Sequence, residues 1–127
     1  MNVLIDSSVW VNHFKYNNHH LVELLHVDMA ITHPMIILEL TCGTPPAPRL
    51  QTIQDIDRLR HANQASCAEV MAFIEREQLY GLGCGLVDLC LLAATMITPD
   101  TLLWTLDKRL HQLAIRFNVA YRSPSFA

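Results

Sequence analysis

No apolar run in this chain is long enough to cross a bilayer. The longest reach about ten residues, against the roughly 20 that a spanning helix needs. The N-terminus has no basic segment followed by a small-residue cleavage site, so no signal peptide is expected. Cysteine is scarce, and none of Cys42, Cys67, Cys84 and Cys90 forms a C-x-x-C pair. Such spacing supports neither a zinc site nor a redox motif, and reduced thiols in a cytoplasmic protein are expected. No G-x-S-x-G nucleophile motif, H-E-x-x-H zinc motif or G-K-[ST] phosphate loop is present. Basic runs are missing too, and the net charge is −3, which argues against nucleic-acid binding through bulk electrostatics. Acids gathered in one site could still hide a basic rim. Lys15, Arg49, Arg58, Arg60, Lys108, Arg109, Arg116 and Arg122 are available for it, with solvated surface charge as the alternative for each.

What is abundant is apolar material. Hydrophobic residues make up 51% of the 127 residues and charged ones only 17%, enough for a real core and too apolar for a disordered chain. The length fits one domain, residues 1–127.

Four of the twelve acids stand where acids are expensive. Asp6 ends the run Val3-Leu4-Ile5. Glu39 interrupts Met35-Ile36-Ile37-Leu38-Glu39-Leu40. Asp88 interrupts Leu86-Val87-Asp88-Leu89, and Asp107 closes Leu102-Leu103-Trp104-Thr105-Leu106. A carboxylate among aliphatic side chains must be paired, protonated or bound to a metal. Four of them point to one shared site, where mutual repulsion raises some pKa values unless a cation is present. Magnesium or manganese, held by oxygen ligands, is the economical solution.

The pattern along the chain is α/β. Val3-Leu4-Ile5 reads as a buried parallel strand, and Ser7 or Ser8 as the cap of the next helix. A second helical segment covers Leu21 to His26, and Met29-Ala30-Ile31 is a short strand. Pro34 opens a helix that stops at Gly43. The proline-rich stretch 44–48 reads as a stiff loop. Leu50 to His61 has helical spacing, and Ser66-Cys67-Ala68-Glu69 is a capping box opening a helix to Glu77. Gly81, Gly83 and Gly85 form a turn with close backbone packing. Leu86 to Met96 is a buried helix, 102–105 a third strand, Asp107 to Phe117 a helix, and Val119-Ala120-Tyr121 a fourth strand. Strands alternating with helices indicate a parallel sheet.

Asp6 and Asp107 follow strands at their carboxyl ends, the edge where such sheets bind ligands. Glu39 and Asp88 lie on helices, each sharing a face with apolar neighbours, so both are expected to point inward. Helix capping is the alternative reading of Asp6 and Asp107, and arginine ion pairs that of Glu39 and Asp88. His13, His19, His20, His26 and His33 share no helical face and read as surface or loop residues. Trp10 and Trp104 fall in apolar periodic segments and read as core or interface residues.

The ordered set Ile5-Asp6-Ser7-Ser8-Val9-Trp10, Ile37-Leu38-Glu39-Leu40-Thr41, Gly85-Leu86-Val87-Asp88-Leu89 and Trp104-Thr105-Leu106-Asp107-Lys108-Arg109 resembles the PIN-domain ribonucleases, and among them the VapC-type toxins of toxin–antitoxin pairs. The resemblance spans almost the whole chain. It implies a three-layer α/β/α fold with a short parallel sheet of about four to five strands. It implies a Mg2+- or Mn2+-dependent endoribonuclease with Asp6, Glu39, Asp88 and Asp107 as catalytic metal ligands and Ser8 and Thr105 as supporting hydroxyls. It also implies a homodimer, and a VapB-type antitoxin that neutralises the toxin in a hetero-oligomer. The low charge departs from many RNA-cutting members. Two other functions compete. One is a catalytically silent PIN-like interaction module, which gives no reason to hold four repelling acids together. The other is a haloacid dehalogenase-like phosphatase, whose D-x-D motif is broken here by Ser8.

Overall fold

β1 (Asn2–Ile5) is the middle strand of a parallel sheet, flanked by β2 (Ala30–Ile31) and β3 (Thr101–Trp104). Its Val3, Leu4 and Ile5 are all fully buried, as a strand covered on both faces requires. The register pairs Val3 with Ala30 on one side and Ile5 with Trp104 on the other. The computed structural model describes residues 1–124.

Seven helices surround the sheet among the described residues: α1 (Ser7–Tyr16), α2 (His19–His26), α3 (Pro34–Cys42), α4 (Arg49–Asp57), α5 (Cys67–Glu77), α6 (Leu86–Ile97) and α7 (Lys108–Arg116). Helices α6 and α7 pack on β3, α2 packs on β2, and α3 touches α1, α4 and α6. The result is an α/β/α arrangement around a small sheet. None of these helices is long and apolar enough to cross a membrane. The four cysteines are free thiols.

The sheet has three strands among the described residues, fewer than the sequence pattern suggests. Each edge is extended only by a single-residue parallel bridge, Thr32 with His61 and Leu103 with Ala120. The segment 119–121, expected as a strand, makes just that contact: the Leu103 amide donates to Val119 O and the Tyr121 amide to Leu103 O. Helix α4 ends earlier than its spacing suggested, at Asp57, because the chain beyond it pairs with Thr32. Tertiary pairing here overrides local helical preference.

The helix starts also differ in one respect. Neither Ser7 nor Ser8 caps α1; Asp6 does, with the Ser8 amide donating to its side chain. The Ser66–Glu69 capping box opens α5 as its sequence indicated. Gly81 and Gly83 take positive φ of 72° and 80°, the turn conformation that glycine permits. A side chain at Gly83 would strike Arg109, whose Nη1 donates to Gly83 O at 2.9 Å. Trp10 and Trp104 are both core residues.

Candidate active site

Because β1 and β3 run parallel in register, they end side by side. Asp6 and Thr105 are the next residues on each. The Asp6 amide donates to Trp104 O at 3.0 Å, which extends the pairing by one step. The Asp6 side chain is 4% exposed and collects its donors on one oxygen. Ser8 Oγ donates to Oδ2 at 2.6 Å, Thr105 Oγ1 donates at 2.8 Å, and the Ser8 amide lies at 3.4 Å. The two hydroxyls are themselves held. Ser8 Oγ accepts from the Leu106 amide at 2.9 Å, and Thr105 Oγ1 accepts from the Asp107 amide at 3.1 Å. Buried polar groups must be satisfied, and this network satisfies the Asp6 carboxylate and the Thr105 hydroxyl while tying the two strand ends together. No hydrogen bond among the described residues engages Asp6 Oδ1.

Asp107 is exposed and caps α7, accepting from the Leu110 amide at 3.0 Å. The caps expected as alternatives for Asp6 and Asp107 are therefore real, and they coexist with a place in the site. Asp88 is half-buried in the first turn of α6, above Leu91 and Leu92 in the core. Glu39 does not point inward as its apolar neighbours suggested. It lies exposed at the edge of α3, where Ser7 Oγ donates to its Oε1 at 2.9 Å. Its neighbours Ile36 and Leu40 take the buried face instead.

The four acids share one electrostatic field. Partial burial pushes the Glu39 carboxyl above its ordinary range, with repulsion from Asp6 and Asp88 adding to it and the Ser7 hydroxyl opposing. Burial also pushes Asp88 up, with Asp6 and Asp107 adding and a Gly85 backbone hydrogen bond opposing. None of the four makes an ion pair among the described residues. Arg58, Arg60, Arg76, Arg116 and the N-terminus pair instead with Asp28, Asp55, Asp100 and Glu77. The arginine-pair alternative for Glu39 and Asp88 is thereby removed.

Among the described residues, no three His, Cys, Asp or Glu side chains are arranged to hold a metal ion. The donors are nonetheless of the right kind. They are hard oxygens of like charge, and no protein cation is paired with them among the described residues. Magnesium keeps several waters and takes only one or two carboxylates directly, so it needs no closed protein cage. The site therefore fits such an ion.

A cleft of about 470 Å³ opens beside Glu39, walled by Ser7, Val11, Phe14, Lys15 and Pro45. Two residues near the acids were not singled out as site residues from the sequence. Ser7 was read only as a cap, although it follows Asp6 directly. Cys84 has its thiol raised by burial and by Asp88 and Asp107, with Arg109 opposing; no motif marked it. One histidine reading is also corrected. His33 is buried, because its Nδ1 accepts from the Met35 amide at 3.0 Å and caps α3.

No protein-family profile matches the chain. Ribonuclease VapC32 of Mycobacterium tuberculosis, in strains CDC 1551 / Oshkosh and ATCC 25618 / H37Rv, is 35% identical over 118 residues, spanning 93% of this chain and 94% of that protein. The solved structure of VapBC-1 from nontypeable Haemophilus influenzae shares the fold, with a TM-score of 0.69 and 13% identity over 97% of this chain and 98% of that one.

Proposed function

Since the chain belongs to the VapC family of ribonucleases, we propose that it is a Mg2+- or Mn2+-dependent endoribonuclease, the toxin of a VapBC-type toxin–antitoxin module in the cytoplasm. The observation that carries this reading is the unpaired quartet. Asp6, Glu39, Asp88 and Asp107 meet in one field at the carboxyl edge of the sheet, and two of them are raised by burial and mutual repulsion. A fold gains nothing from such an arrangement unless a cation completes it.

In this reading Asp6 and Asp88 are the main metal ligands, and Glu39 and Asp107 complete the set. A bound cation neutralises the pocket, lowers the pKa of an attacking water and stabilises the leaving oxygen. The protein's own contributions are positional. Ser8 and Thr105 fix the Asp6 carboxylate through Oδ2, which leaves Oδ1 without a hydrogen bond among the described residues. Ser7 fixes Glu39 through Oε1, and Oε2 remains to accept the proton of the water that attacks the phosphodiester. The phosphatase alternative gains no support, because the Ser8 hydroxyl is spent on Asp6 and the Leu106 amide.

The whole of residues 1–127 forms one PIN domain in this reading, and the two single-residue bridges are the vestiges of outer strands in a sheet of about four to five. A VapB-type antitoxin would cover the acids, a role suited to an arginine. A homodimer is part of the proposal. The test is incubation of the purified, antitoxin-free chain with total cellular RNA. Discrete fragments that need magnesium or manganese and disappear with chelator are expected. A folded chain that leaves all RNA intact in both metals would overturn the assignment.

A further inference from the structure

A second hollow, of about 330 Å³, opens beside Thr105 and Leu106. Its walls include Trp104, Thr105, Lys108, His111, Tyr121 and Arg122. Thr105 also belongs to the acidic site: its Oγ1 holds Asp6 at 2.8 Å. Lys108 follows Asp107 directly. The hollow therefore adjoins the acidic centre with no element between them.

Its rim carries two cations. Lys108 and Arg122 are exposed, and neither makes an ion pair among the described residues. Arg58, Arg60, Arg76 and Arg116 reach carboxylates, and Arg49 and Arg109 are held by backbone carbonyls. A chain of net charge −3 has acids to spare, and four of them are close by. Lys108 nonetheless does not turn back onto Asp107. Two cations without an ion pair among the described residues thus border one hollow. His111 also lines it, with its Nδ1 buried and without a hydrogen-bond partner among the described residues. The floor is apolar and rigid. Trp104 is almost wholly buried and meets the Tyr121 ring at 5.6 Å, and Tyr121 stacks on His20 at 5.8 Å.

We propose that this hollow is a phosphate-binding subsite for the RNA strand, in which Lys108 and Arg122 hold a backbone phosphate adjoining the scissile one and His111 lines the seat. The inference rests on the ribonuclease reading above and deepens it. The physical need is clear. The acidic centre repels a polyanion beyond the short range over which a bound cation neutralises it. Screening at physiological salt acts over about 8 Å, so cations immediately beside the acids can still draw a phosphate in. Lys108 and Arg122 are available for that because neither is paired with a carboxylate among the described residues. The subsite accounts for RNA affinity in a chain with no basic run: the attraction is local. It acts on the backbone, so it positions the strand and carries no sequence information.

The test uses the full chain and a single-stranded RNA oligonucleotide spanning a mapped cleavage site, in magnesium. Lys108→Ala with Arg122→Ala is expected to raise KM about tenfold, as loss of phosphate contacts does, while kcat stays within about twofold. In the Asp88→Asn background, which is expected to bind without cutting, the same pair should flatten the salt dependence of RNA affinity. Two lost phosphate contacts on a single strand reduce the log–log slope by about 1.4. Lys108→Arg should keep most of the affinity, and Arg76→Ala, on α5, should change neither quantity. If the double variant keeps wild-type KM and salt slope while the wild type cuts RNA, the subsite is wrong and the ribonuclease stands. If the pair lowers kcat and leaves KM unchanged, the residues do not bind the strand and the proposal also falls. If the wild type neither binds nor cuts RNA, the subsite and the function fall together.

Discussion

The acids that follow strands and the acids carried on helices are held by different physics. Asp6 and Asp107 each cap a helix, and Asp6 also gathers two hydroxyls that tie β1 to β3. Their carboxylates are part of the fold's hydrogen bonding. Glu39 and Asp88 are raised by burial and repulsion, and each has one compensating hydrogen bond, from Ser7 and from Gly85. The fold would be as well served by neutral side chains at both places. Strand acids should therefore affect stability and activity together. Helix acids should affect activity while costing stability nothing.

The largest combined effect is expected from Asp6→Ala. Loss of the α1 cap costs about 1 kcal/mol. Stranding the Ser8 and Thr105 hydroxyls without a charged acceptor adds roughly another 1–2 kcal/mol. A urea midpoint lowered at unchanged m, with cleavage below detection, would bear this out; wild-type stability would break the comparison on the strand side. Thr105→Val is next. It removes one donor to Asp6 and the acceptor of the Asp107 amide, for about 1–2 kcal/mol. Its cleavage rate should fall about tenfold, the low end for a residue that orients a metal ligand. A variant as active and as stable as wild type would show that the hydroxyl network is incidental.

The smallest effect is the pH dependence of stability in chelator. Glu39 and Asp88 have native pKa values raised above their unfolded values, so the folded chain holds more protons than the unfolded one in between. Their contribution is full below the ordinary carboxylate range. It is lost as pH rises through the raised native values. Glu69, exposed and lowered by its Ser66 hydrogen bonds, works in the opposite direction. The quantity to compare is therefore the slope of wild type against Glu39→Gln/Asp88→Asn, measured by urea unfolding across that range. The double variant should lose less stability on going up in pH. Identical slopes would mean that the two acids carry no strain.

The strand ends were legible because an acid closing an apolar run is a sharp local signal. Asp6 and Asp107 fall where that signal placed them, and so does Asp88, with Leu91 and Leu92 beneath it. The side to which Glu39 turns was not legible. Helix α3 is apolar nearly all round, and Leu38 next to Glu39 is itself 58% exposed. Periodicity cannot separate inside from outside on such a helix. The end of α4 and the weak pairing at 119–121 depend on partners far along the chain, Thr32 and Leu103, which no local window contains. His33 was read as an outer residue because its burial comes from a backbone cap, which hydrophobic patterning does not register. Ser7 was visible as a hydroxyl beside Asp6, but its partner Glu39 lies 32 residues away.

Asp88→Asn, with thermal unfolding in chelator and RNA cleavage in magnesium measured on the same preparation, tests most directly whether the helix acids exist for chemistry and not for the fold. Removing one charge from a repelling set should leave the melting temperature equal to or above that of wild type. Cleavage should fall by more than about a hundredfold, beyond what loss of an outer-shell partner costs. A variant that melts lower and still cuts RNA at the wild-type rate would contradict the account, because Asp88 would then be a structural residue.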